Sequence, residues 1–198
     1  MKFLSLLIFI SFSAFAQQSY IDYVSPYHPV VGKSGMVVSQ NNLSSDIGIE
    51  ILNKGGNAVD AAVAVGFSLA ITLPRAGNLG GGGFMLVYLK ERDEIFYIDY
   101  RSKSPLNASI DNIFDLNGKT IKPKDFTNDM FNKTRYGYKA PAIPGTVAGL
   151  LEAHENFGKL PLEEVLAPAI RQAREGITVS YDLEKAIDDT HQLKKDPE

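Results

Sequence analysis

The chain has 198 residues and no cysteine, which allows one ordinary domain and excludes a thiol nucleophile, a disulfide or a cysteine-built zinc site. Its 20 basic and 23 acidic residues leave a net charge of −3 with no basic stripe, so nucleic acid is not an expected partner. Three histidines, His28, His154 and His191, stand far apart without an H-E-x-x-H arrangement, and no metal site is expected.

Residues 1–16 read as a secretory signal peptide. Lys2 supplies the positive charge, Phe3 to Phe15 form an apolar run too short to span a membrane, and Ala14-Phe15-Ala16 is an A-x-A cleavage site. The protein is therefore expected to be exported, with no membrane span once the leader is removed. About 41% of the remaining residues are hydrophobic, enough for a packed core.

Residues 17–34 contain turn formers and no period, and read as a lead-in loop. Gly35 to Gln40 is a short apolar strand candidate. From Leu43 the period becomes helical, with Leu43, Ile47, Ile51 and Leu52 on one stripe, Ser44 or Ser45 placed to cap, and Gly55-Gly56 to stop it. Asn57 opens a second helix whose body, Ala58 to Ala70, is apolar or small on nearly every face and should be buried on most sides. A membrane segment is the alternative there; Asp60 and the 13-residue length of Ala61–Leu73 speak against it.

A glycine-rich loop, Pro74 to Gly83, comes next. Its order is helix, glycines, strand, and no lysine follows until Lys90, the reverse of a nucleotide cradle. Gly80, Gly81, Gly82 and Gly83 instead suit a tight loop where backbone passes close to another layer or a ligand. Phe84–Leu89 reads as a strand apolar on both faces, sandwiched between layers. After the charged turn Lys90–Asp93, Glu94–Arg101 alternates with period two. Phe96, Ile98 and Tyr100 face one way; Ile95, Tyr97, Asp99 and Arg101 face the other. The pair is expected to form a hairpin.

Residues 102–143 are polar and irregular. Helices are expected from Pro144-Gly145-Thr146 to Gly158, and again from Pro161 to Gly176. The second has a core stripe of Leu162, Val165, Leu166, Ala169, Ile170 and Ala173, with a kink at Pro168. Asp182 is a candidate cap for a last helix, Leu183 to Lys195. His154, between Glu152 and Glu155, reads as part of a solvated face. Arg101, ending a half-polar strand, has two readings: a bidentate hold on a substrate carboxylate, or a salt bridge with Asp99 or a neighbouring strand. Local sequence alone favours the salt bridge.

Four stretches carry a family resemblance. KGGNAVDAAVAVGFSLAITLPRAGNLGGGGFML, GMVVSQNNLSSDIGIEILNKGGNA, IDYRSKSP and APAIPGTVAGLLEAHENFGKLPLEEVLAPAIRQAREGITV closely resemble the opening part of γ-glutamyltranspeptidases, the γ-glutamyltransferase or glutathione hydrolase family. The resemblance implies an α/β, N-terminal-nucleophile hydrolase αββα sandwich, present here only in part, with residues 35–198 as an incomplete large-subunit domain. It implies a precursor that cuts itself, and a new N-terminal threonine that attacks the γ-glutamyl amide of glutathione or a related compound. The acyl group then passes to water or an amino acid in the periplasm or outside the cell, without metal or organic cofactor.

The same resemblance assigns Arg101 to the α-carboxylate of the γ-glutamyl group, against the local preference for a salt bridge. It makes Gly80 to Gly83 a structural loop near the pocket. Family members commonly have glutamate directly after this arginine; Ser102 stands here, which implies a less firmly oriented guanidinium. The family's nucleophile signature, a threonine pair followed by His and a small residue, does not occur among these residues. The implied partners are therefore the remainder of the large subunit and the small subunit, and the chain alone is expected to be inactive. The alternative is an exported, non-catalytic remnant that binds a partner or serves a structural purpose.

Overall fold

In the computed structural model, residues 29–111, 127–133, 135–137 and 139–190 are described. The expected signal peptide, most of the lead-in loop, His28, His191 and the end of the last expected helix lie outside them. Residues 29–36 belong to a separate N-terminal unit and carry no helix or strand. The second unit, from Val37 onward, holds every element below.

Helix α1 spans Asn42–Asn53. Its cap is Asn41, whose side-chain oxygen accepts the Leu43 N–H at 2.9 Å, and not Ser44 or Ser45 as expected. Both serines are engaged elsewhere. The Ser45 hydroxyl accepts the Ser39 N–H at 3.1 Å, and the buried Ser44 hydroxyl bonds those of Ser68 and Thr72 at 2.7 and 2.8 Å. Ser39 is thus tied to α1, and the expected strand Gly35–Gln40 joins no sheet among the described residues.

Helix α2, Ala58–Thr72, starts with a capping box: Asn57 accepts from the Val59 and Asp60 N–H groups while Asp60 accepts the Asn57 N–H. Val59, Ala61, Val63, Ala64, Val65, Ser68 and Thr72 are all buried, as its small, apolar composition requires. Among the described residues no helix is long and apolar enough to cross a membrane.

Strands β1 (Phe84–Leu89) and β2 (Glu94–Asp99) form an antiparallel hairpin in which Phe84 faces Asp99, Val87 faces Phe96 and Leu89 faces Glu94. Alternation sorts the side chains as period two demands. Met85, Val87, Leu89, Phe96, Ile98 and Tyr100 turn to the core, whereas Phe84, Leu86, Tyr88, Ile95 and Tyr97 are exposed. The expectation that β1 is buried on both faces is therefore corrected. Leu86 is 72% exposed, because the described helices cover only one face of the hairpin.

A short helix α3 (Asn128–Lys133), not anticipated from sequence, precedes α4 (Thr146–Phe157), α5 (Leu162–Glu175) and α6 (Tyr181–Asp189). Helices α1, α2, α4 and α5 pack together, and Phe96 meets Phe157 of α4 with ring centroids 4.9 Å apart. Helix α5 continues through the buried Pro168. Its buried side is Val165, Pro168 and Ala169, while Ile170 and Ala173 of the expected stripe are exposed. The rotation has a polar cause: Gln172 turns inward and accepts the Ser68 hydroxyl at 2.7 Å. Helix α6 is capped by Ser180, not Asp182, which pairs with Arg75 at 2.8 Å.

Candidate functional site

The glycine loop, the end of β2 and the start of α4 converge on one short stretch, Tyr100 to Lys103. The ladder of the hairpin continues one pair past β1 and β2, with Gly83 and Tyr100 exchanging N–H···O bonds of 3.3 and 3.1 Å. Beyond it, Lys103 and Ile143 form an isolated antiparallel bridge with bonds of 3.1 and 2.8 Å. Tyr100, Arg101 and Ser102 are thus fixed at both ends by backbone pairing.

The helix α4 N-terminus closes the third side. Gly145 offers no side-chain cap, so two of the orphan amides of the first turn are satisfied from outside the helix. The Gly145 and Thr146 N–H groups both donate to the Gly81 carbonyl, at 2.8 and 3.2 Å, and the Thr146 hydroxyl donates to the Asn78 carbonyl at 3.2 Å. The glycine loop therefore acts as the cap of α4, and those donors are not available to a ligand.

Close approach explains the residue type. A β-carbon on Gly82 would overlap the Ser102 amide nitrogen, one on Gly145 the Tyr100 carbonyl oxygen, and one on Gly149 the Tyr100 ring. On Gly83 it would stand 2.8 Å from the same ring. None of these four glycines has positive φ, so what they supply is space and not a left-handed conformation. Tyr100 fills that space. Its partial burial raises the phenol above its ordinary pKa of 10.0.

Arg101 emerges from this cradle on the outer, exposed face of the hairpin. Its backbone N–H donates to Asp99 Oδ1 at 3.0 Å, so Asp99 serves the main chain there. The salt bridge with Asp99 that local sequence favoured is not formed, and among the described residues the Arg101 guanidinium has no carboxylate partner. It lies instead over the Phe84 ring, with Cζ 6.0 Å from the centroid. An unpaired, exposed guanidinium on a rigid backbone can receive a planar carboxylate through two parallel hydrogen bonds.

The histidine reading is corrected. His154 is no solvated side chain: 15% of it is exposed, its Nε2 lies 2.9 Å from the Leu160 carbonyl, and Asp60 is 3.7 Å away. Asp60 is fully buried and accepts the backbone N–H groups of Asn57, Lys159 and Leu160. This cluster ties the α4–α5 turn to α2. Residues missed from sequence at the site itself are Phe84, Gly145 and Gly149. The signal for the two glycines is the spacing G-x-x-x-G after Pro144, whose meaning depends on Tyr100 arriving from elsewhere; Phe84 follows the glycine run and carries no such spacing.

The likeness of this hairpin and its helices to solved gamma-glutamyltranspeptidase structures places the chain among the N-terminal-nucleophile hydrolases as part of their α/β fold. The family model for gamma-glutamyltranspeptidase matches residues 44–198, and the chain belongs to that family. The glutathione hydrolase proenzyme of Escherichia coli is 44% identical over 154 residues, covering 78% of this chain and 25% of that protein. Among solved structures, Helicobacter pylori gamma-glutamyltranspeptidase aligns with a TM-score of 0.72 at 36% identity, over 84% of this chain and 45% of that one. Gamma-glutamyltranspeptidase from Pseudomonas nitroreducens, complexed with L-DON, aligns with a TM-score of 0.71 at 39% identity, over 83% and 46%. The chain thus spans about a quarter of the length of the curated relatives it matches.

Proposed function

We propose that residues 35–198 form the opening part of the large subunit of an exported γ-glutamyltransferase, or glutathione hydrolase, and that Arg101 anchors its substrate. The reaction transfers the γ-glutamyl group of glutathione or a related compound to water or an amino acid. A γ-glutamyl donor carries a free α-carboxylate, and Arg101 holds it while the amide at the other end of the side chain is cleaved. Fixing one end of the donor in this way removes rotational freedom before chemistry and directs the scissile carbonyl toward the nucleophile.

The nucleophile itself is a threonine contributed from outside these residues, with its own α-amine as base. The remainder of the large subunit and the small subunit complete the pocket, and the chain alone does not turn over. What carries the reading is the exposed Arg101 guanidinium, free of any carboxylate partner among the described residues and seated on a backbone clamped from three sides.

The test is kinetic. In the complete precursor, Arg101→Ala should raise KM for a γ-glutamyl anilide by about a hundredfold, as loss of a charge-assisted bidentate contact would. An unchanged KM removes Arg101 from the site. Release of the chromogenic amine by residues 1–198 alone would show that the nucleophile lies within them.

A further inference from the structure

Phe84 is a large aromatic residue that the core does not use. It starts β1 opposite Asp99, on the outer face of the hairpin, and is 52% exposed. In an antiparallel pair the diagonal neighbours of that position are the residues two before and two after Asp99. These are Tyr97 and Arg101, and the Phe84 ring meets both. It stacks on Tyr97 with centroids 6.1 Å apart and planes inclined by 16°, and the Arg101 guanidinium lies over it at 6.0 Å.

We propose that Phe84 is a positioning residue for Arg101, holding the guanidinium from its π face so that the in-plane donors stay free for the substrate carboxylate. The inference rests on the assignment of Arg101 to substrate. Its chemical basis is the difference between two ways of orienting an arginine. A neighbouring carboxylate would occupy the same N–H fork that a ligand carboxylate needs and would have to be displaced. An aromatic ring attracts the cation through its quadrupole and spends none of the five donors. Asp99, two residues before it on the same face of the strand, accepts the Arg101 backbone N–H. Ser102, which follows Arg101, is uncharged and offers no carboxylate of its own. Tyr97 in turn limits the tilt of the Phe84 ring.

The experiment is a comparison of Phe84 variants in the complete precursor with a γ-glutamyl anilide as donor. Phe84→Leu keeps apolar bulk and removes the ring face; it should raise KM about fivefold with kcat and self-cleavage unchanged. Phe84→Tyr should restore KM to near the parental value. In an Arg101→Ala background, Phe84→Leu should add nothing further, because its effect passes through the arginine. Should Phe84→Leu fail to mature, phenylalanines bearing one, two or three ring fluorines at position 84 keep the shape and weaken the negative face. KM should then climb with fluorine number.

An unaltered KM in Phe84→Leu, a fluorine series without trend, or an equal KM loss with and without Arg101 would each overturn the role of Phe84. An Arg101→Ala enzyme with parental KM would instead overturn the substrate assignment beneath it, so the two failures are told apart.

Discussion

Gly145 and Tyr100 meet backbone against backbone: the space a β-carbon would need on Gly145 is filled by the Tyr100 carbonyl oxygen. That carbonyl also accepts the Gly83 N–H, so it cannot swing away without breaking the last rung of the hairpin. The Gly145 N–H is meanwhile held by Gly81. Neither partner can yield. Gly145→Ala should therefore destabilise by about 3 kcal/mol, at the upper end of overpacking, and displace Arg101 with the Tyr100 peptide. Urea denaturation gives the first figure, and KM for a γ-glutamyl anilide reports the second. A stable variant with parental KM would contradict the cradle.

Gly149 presents the complementary case, since its neighbour is the Tyr100 side chain and not the main chain. Gly149→Ala should cost a similar amount alone, but part of that cost should be recovered in a double variant with Tyr100→Val, which vacates the ring. Gly145→Ala should show no such recovery with the same second change. A double-mutant cycle separates the two, with a favourable coupling energy of about 1 kcal/mol or more expected only for the Gly149 pair.

Asp60 offers a third test, away from the site. Its carboxylate is fully buried and accepts four close N–H contacts, from Asn57 at 2.9 Å, from Lys159 at 3.0 and 3.1 Å to its two oxygens, and from Leu160 at 3.3 Å. Asp60→Ala strands the Lys159 and Leu160 donors and removes the capping box, and should cost about 3 kcal/mol. Asp60→Asn keeps one acceptor oxygen in place and should cost less. If Asp60→Ala unfolds at the parental denaturant midpoint, the carboxylate is not what binds the α4–α5 turn to α2.

Much of this architecture is legible from periodicity. The two faces of β2 follow from alternation in Glu94–Arg101, and burial of α2 follows from a helix with almost no polar side chains. Structure departs from local pattern where a polar side chain finds a distant partner. Ser44 looked like a cap and was drawn instead to Ser68 and Thr72; Gln172 turned inward to Ser68 and rotated the α5 stripe. His154 stands between two glutamates in sequence, yet it faces the Leu160 carbonyl and Asp60. The outward face of Arg101 is readable from alternation, but Gly145 and Gly149, which pack on Tyr100, and Phe84, which lies beneath the guanidinium, come from segments whose meeting no local pattern encodes.

Glu50 carries the pH dependence that these contacts allow. The hydrogen bond from Lys54, at 2.7 Å, holds its carboxyl below the ordinary value of 4.5, and Arg171, also at 2.7 Å, adds to this against the effect of partial burial. A carboxyl group lowered on folding contributes stability that is complete above its unfolded pKa and is lost as pH falls through the folded one. The Glu50 contribution should thus be full at pH 7 and decline below pH 4.5. All three side chains are partly solvated, so both pairs together should be worth about 1 kcal/mol. Glu50→Gln should lower stability by that amount at pH 7 and low salt, and the gap to the parent should close in acid. It should also shrink in about 1 M salt, where the Debye length falls to about 3 Å. A gap that persists unchanged at pH 3 would show that Glu50 acts through packing of its side chain between α1 and α5 and not through its charge.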